Sequence, residues 1–128
     1  MAQLKPREIL ERAKEFLHCA EDAMENDHYN ACAICSYAAL LWAARAALAH
    51  EGFDQVKWEH GELHAAFENE LIKHRGRFPK NFGARLTNAY YLRNEAQYFP
   101  TSPSVKRIRR IVGHAKELIH KVDEAIKK

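Results

Sequence analysis

Apolar residues recur along this chain at three- and four-residue steps, the spacing of helices that each bury one face. Pro6 suits a first helical position, and behind it Ile9, Leu10, Ala13, Phe16, Leu17, Ala20 and Met24 form one stripe. Asn26-Asp27-His28 interrupts it and offers Asn26 or Asp27 as the cap of a second helix. From Ala31 to Ala49 the clearly polar residues are Ser36 and Arg45 alone. Such a run approaches the ~20 residues that span a bilayer. It is rich in alanine, however, and Arg45 would be costly in lipid. A helix apolar on every side also fits the centre of a helical protein, and that reading is preferred, with Gly52 as its stop.

A third helix is predicted from about Trp58 to His74, with Leu63, Phe67, Leu71 and Ile72 inward and Arg75-Gly76 at its end. A fourth is predicted over Asn81–Ala96, with Phe82, Leu86, Ala89, Tyr90 and Arg93 on one face. Phe99-Pro100-Thr101-Ser102-Pro103 breaks the pattern. Ser102 or Ser104 then caps a fifth helix carrying Ile108, Ile111, Val112, Ala115, Leu118, Ile119, Val122 and Ile126. No segment alternates with period two. The expected fold is all-α, an up-and-down bundle of four or five helices, in a single domain over residues 1–128.

Composition narrows the function classes. Gly occurs at 52, 61, 76, 83 and 113, so neither GxGxxG nor a GxxxxGK[ST] phosphate loop is present. A net charge of +3 is too small to imply nucleic acid by itself. Three cysteines, an odd number, point to reduced thiols. Met1–Lys14 mixes charged and apolar residues and has no continuous apolar core of a secretory signal, so the cytoplasm is the expected location.

Several groups could carry chemistry. Cys32-Ala33-Ile34-Cys35 has the CxxC form, but it lies inside an apolar helix with no strand before it, so small core residues are expected. His60 and His64 stand one helical turn apart, a spacing that can chelate a metal; without an evident third ligand they read as surface histidines. No metal and no cofactor are expected. Lys106, Arg107, Arg109 and Arg110 crowd the start of the fifth helix, where cations oppose the helix dipole. That placement favours a phosphate or RNA partner. Lys73, His74, Arg75, Arg77, Lys80 and Arg85 form a second basic region. Arg93 falls on the inner face of the fourth helix and needs either a carboxylate or a cleft that admits phosphate. Tyr98 lies near the same helix end.

Three features together resemble the HEPN family (higher eukaryotes and prokaryotes nucleotide-binding domain). They are the alanine-rich helix Ser36–Ala49 closing at Glu51-Gly52, His60-Gly61 opening the next helix, and Arg93-Asn94 followed by Tyr98 and a proline break. The similarity covers roughly Arg7 to Ile126, most closely to small stand-alone members encoded beside a minimal nucleotidyltransferase. The resemblance implies the nucleotidyltransferase-substrate-binding-like HEPN fold, a homodimer with both Arg93 side chains in a shared cleft, and RNA or a nucleotide as ligand. Many HEPN proteins are metal-independent ribonucleases, often toxins restrained by the nucleotidyltransferase. Their motif is Arg, a polar residue often Asn, then His. Arg93 and Asn94 match, Tyr98 stands at the place of the histidine, and no His follows until His114. By that correspondence Arg93, Asn94 and Tyr98 are the expected catalytic residues. Tyr98 is also the candidate for adenylylation, which silences some HEPN toxins. The alternatives are a non-catalytic RNA- or nucleotide-binding subunit and a structural helical adaptor; no membrane partner is expected.

Overall fold

A computed structural model describes residues 4–127 of the chain; the first three residues of the polar N-terminal stretch, and Lys128, lie outside the described residues. The elements are α1 (Pro6–Glu25), α2 (Tyr29–His50), α3 (His60–Ala66) continuing as a π-helix over Phe67–His74, α4 (Asn81–Tyr98) and α5 (Val105–Lys127). No strand occurs among the described residues. The bundle is all-α, as the periodicity requires.

α2 is the axis. It packs against α1, α5 and α4, while α1 and α4 also touch α5, and α3 with its π-helical extension lies against α2 and α4. By length and composition α2 could cross a membrane, but most of its alanines and leucines are enclosed by its neighbours. Each outer helix presents the stripe its spacing dictates: Ile9, Leu10, Ala13 and Ala20 from α1; Phe82, Leu86 and Ala89 from α4; and Ile108, Ile111, Ala115, Leu118, Ile119 and Val122 from α5. Alanine on α2 leaves no bulk between axes, so side chains from the outer helices fill the space. α4 is rotated slightly from the expected phase: Leu92 is buried, whereas Tyr90 and Arg93 sit at the edge of the core.

The helix ends show which local forces win. Asn26 and Asp27 do not cap α2; they close α1. Asp27 takes a left-handed conformation (φ 61°) and the His28 N–H reaches back to the Ala23 carbonyl at 2.8 Å. That geometry satisfies the last carbonyls of a helix and leaves His28 as the α2 boundary. Gly52 ends α2 at φ +92°, with the Phe53 N–H on the Leu48 carbonyl at 2.8 Å. α3 starts at His60 rather than Trp58, because Glu59 is its extended N-terminal boundary and donates its N–H to the Glu62 carboxylate at 3.3 Å. Ser104 caps α5, its hydroxyl accepting the Arg107 N–H at 3.2 Å. α4 continues two residues past Ala96 to Tyr98.

Candidate functional site

Three helices converge on one phenol. Tyr37 lies on α2, 2% exposed, in a stretch that is otherwise almost wholly apolar. His60 and His64 stand four residues apart on α3 and so share a face. The Tyr37 oxygen lies 2.6 Å from His60 Nδ1 and 3.0 Å from His64 Nε2. A phenol donates one hydrogen and a neutral imidazole both donates and accepts. One histidine therefore donates to Tyr37 while the other accepts from it.

The loop before α3 is tied down from α2. Arg45 donates to the Gln55 and Val56 carbonyls at 2.6 and 3.2 Å and lies 4.0 Å from the Asp54 carboxylate. Its guanidinium also faces the Trp42 ring, as does that of Arg12. The residue that argued against lipid thus anchors the segment leading to His60.

α4 closes the cluster. The Tyr90 ring lies 4.9 Å from His60, 5.5 Å from Tyr37 and 5.8 Å from His64, centre to centre. One turn on, the Arg93 guanidinium carbon sits 5.8 Å from the Tyr37 ring and 5.9 Å from the Tyr90 ring. Those separations are within reach of cation–π attraction. Arg93 Nη1 donates to Asn94 Oδ1 at 2.8 Å.

Burial sets the protonation states. It pushes the His60 and His64 pKa values down, helped by the Arg93 charge at His60 and by His60 at His64. Burial likewise pushes the Tyr37 phenol up, against the opposing pull of Arg93. At neutral pH His60 and His64 are therefore neutral imidazoles and Tyr37 a protonated phenol, beside the Arg93 cation. Beyond His64 a groove of about 580 Å³ runs between the α3 segment and α4, lined also by Glu68, Lys80, Asn81 and Thr87. Glu68 lies so close to α4 that a Cβ on Gly83 would stand 2.0 Å from its Oε2.

Family comparison fits this arrangement. A model of the HEPN domain matches residues 6–125. The chain belongs to the HEPN family. No curated protein matches it significantly.

The site residues expected for a HEPN protein divide in two. Arg93 faces the cluster and is in contact with Asn94. Tyr98, 67% exposed at the end of α4, shares no hydrogen bond or ring contact with Arg93 among the described residues. Of the basic residues opening α5, Arg107 is bound to Glu95 through both nitrogens at 2.7 and 3.3 Å, whereas Lys106, Arg109 and Arg110 are exposed. The second basic region is partly consumed by structure: Arg77 pairs with Glu51, Arg85 with Glu117, and Arg75 stacks on Phe53.

Tyr37 was not legible as a site residue, and the histidine pair, read as surface, is half-buried against it. The available signal was one phenol on an apolar helix together with two histidines a turn apart. Among the described residues no three His, Cys, Asp or Glu side chains gather in metal-binding geometry.

Proposed function

We propose that this HEPN protein cuts RNA without a metal at a cleft built on Arg93, as a cytoplasmic, single-domain homodimer. In this reading it works with a minimal nucleotidyltransferase in toxin–antitoxin style. One observation carries the proposal. Four arginines among the described residues are partly buried, namely Arg7, Arg45, Arg85 and Arg93. Arg7 has Asp123, Arg45 has Asp54 and Arg85 has Glu117. Arg93 has an amide and two aromatic faces instead. A guanidinium kept from a carboxylate retains donors for the oxygens of a phosphate.

The imidazoles supply what the motif lacks. Tyrosine is a poor base at neutral pH, but neutral His60 is suited to take the proton of a ribose 2′-hydroxyl. Its Nδ1 proton then passes to the Tyr37 oxygen while the Tyr37 proton moves to His64 Nε2. The 2′-oxygen attacks phosphorus, Arg93 offsets the charge that grows on the phosphoryl oxygens, and the 5′-oxygen leaves with a proton from water. Tyr91, Tyr98 and Phe99, at 61, 67 and 61% exposure, offer an aromatic surface beside Arg93 for a second copy. The exposed Tyr98 hydroxyl is accessible to a nucleotidyltransferase.

Labelled RNA incubated with EDTA tests the chemistry. Cleavage to 2′,3′-cyclic phosphate ends is expected, abolished in Arg93→Ala and reduced by ~10²-fold or more in His60→Ala. Salt-sensitive binding without cleavage would reduce the protein to a non-catalytic RNA-binding subunit. Neither binding nor cleavage would end the RNA reading. Co-purification of a small nucleotidyltransferase from the native host tests the partner.

A further inference from the structure

The CxxC spacing on α2 hides a different pair. Cys32 is fully buried and its sulfur lies 3.9 Å from the Ser36 hydroxyl. Cys35, three residues on, is half-buried and turned toward α1, where its sulfur stands 2.7 Å from that of Cys19. Cys19 is exposed. The two sulfurs are thus closer than any non-bonded packing requires, and well under an ångström from the disulfide bond length of about 2.05 Å. Small side chains favour the approach: α1 and α2 pack against each other, and buried alanines on both, Ala20 and Ala23 on α1 and Ala33 on α2, put little bulk between the axes.

We propose that Cys19 and Cys35 are a peroxide-responsive thiol pair that closes to a disulfide stapling α1 to α2, with Cys32 left as a free thiol. The two sulfurs have different roles. Burial and the neighbouring Cys19 push the Cys35 thiol up to about 12, so it stays protonated at neutral pH. Burial also pushes Cys32 up. The sulfur that meets solvent and oxidant is that of Cys19. Its thiolate attacks one peroxide oxygen; the O–O bond breaks, the departing hydroxide leaves as water after taking a proton, and Cys19 becomes a sulfenic acid. The Cys35 sulfur then attacks the Cys19 sulfur. The S–S bond forms, the S–O bond breaks, and the hydroxyl leaves with the Cys35 proton as a second water. Two thiols have lost two electrons and one hydrogen peroxide has become two waters. A resolving sulfur already in place diverts Cys19 from further oxidation to sulfinic acid. This inference is independent of the HEPN chemistry, because neither sulfur contacts Tyr37, the histidines or Arg93 among the described residues.

The test uses the full chain, reduced and then exposed to stoichiometric hydrogen peroxide. Three titratable thiols should fall to one, the intact mass should drop by two hydrogens, and peptide mapping should join Cys19 to Cys35. Dithiothreitol should restore all three thiols. Cys32→Ser should close as the native chain does, whereas Cys19→Ser and Cys35→Ser should not, with circular dichroism melts reading whether each variant is folded. Three thiols surviving peroxide, a bridge mapped to Cys32, a covalent dimer, or Cys19 recovered as sulfinic acid would each overturn the proposal.

Discussion

Replacing Tyr37 by Phe removes one oxygen and leaves the ring, so it separates the hydrogen-bonded centre of the cluster from its aromatic frame. The phenyl group would still face Arg93 and Tyr90, keeping the cation–π contact in place. What disappears is the hydroxyl that joins His60 at 2.6 Å and His64 at 3.0 Å, at a residue 2% exposed. A neutral hydrogen bond contributes about 0.5–1.5 kcal/mol to stability, so two give ~1–3 kcal/mol. His60 is partly exposed and can recover water, which places the expectation in the lower half of that range. Urea unfolding at pH 7.5 should therefore show an unchanged slope and a midpoint lowered by roughly 0.5–1 M. In the proposed function RNA affinity rests on Arg93, so it should stay within about twofold, while cleavage falls by up to ~10²–10⁴-fold. A variant as stable as the native chain would mean that the phenol is not the shared partner of the two imidazoles. Equal loss of affinity and cleavage would mean that Tyr37 merely holds Arg93.

Acid should weaken the fold before any carboxylate titrates. His60, His64 and His114 are all pushed below their ordinary 6.5 by burial. The unfolded chain therefore binds more protons than the folded one as pH falls through 6.5. Stability is complete above that value and declines below it, by at most about 1.4 kcal/mol per pH unit for each imidazole. Asp123 and Glu95 are held below the usual carboxylate range by Arg7 and Arg107, so their contributions are lost only at lower pH. Urea midpoints that stay flat or rise from pH 7 to 5.5 would contradict this. Gly83→Ala should be neutral or stabilising. The new methyl meets the end of the Glu68 side chain, which can swing away, and touches Ile72 Cδ1 at an ordinary 3.4 Å, while alanine gains ~0.5–1 kcal/mol over glycine within a helix. A clear drop in melting temperature would show that Glu68 is fixed in place. Tyr91→Asp, changing an exposed aromatic beside the cluster, should halve the sedimentation mass of the proposed dimer without altering the monomer's circular dichroism. A native chain that already sediments as one copy at micromolar concentration would refute the dimer.

The fold was legible because helical burial repeats locally. Leu63, Phe67 and Leu71, or Ile108, Ile111 and Ala115, announce their inner face within two turns, and all are buried. What could not be read locally was the phase and ending of elements under tertiary control. The π-helical run Phe67–His74 adds a residue per turn while keeping Phe67, Leu71 and Ile72 inward, so the apolar spacing looks almost the same as that of an α-helix. Asp27 ends α1 because its backbone enters the left-handed region, which no side-chain pattern specified. The site is harder still. His60 and His64 read as surface histidines until α2 places a phenol against both. Arg93, by contrast, was visible from its own helix, since an ionised group on an apolar face signals a problem in any fold.

How that problem is met decides what Arg93 can do. A carboxylate would have satisfied the charge and occupied the donors together, as Glu95 does for Arg107 with two contacts. Here the desolvation is offset piecemeal. Each aromatic face contributes ~0.5–2 kcal/mol to a nearby cation, and a hydrogen bond to a charged group adds ~1.5–3 kcal/mol. Together these approach the several kcal/mol that partial burial of an ion removes. The Tyr37 and Tyr90 rings attract the charge without accepting its in-plane N–H groups, and Asn94 accepts a bond from Nη1. A guanidinium carries five donors. The cluster thus stabilises the cation while leaving most of its hydrogen-bonding capacity unused, beside the His60 imidazole, which that same charge helps to keep neutral. An anion arriving at Arg93 would offset the field that lowers the His60 pKa and make that imidazole a stronger base at the moment of binding. The cleavage pH profile should therefore shift upward in the RNA complex relative to the free protein, and an unshifted profile would uncouple the two groups.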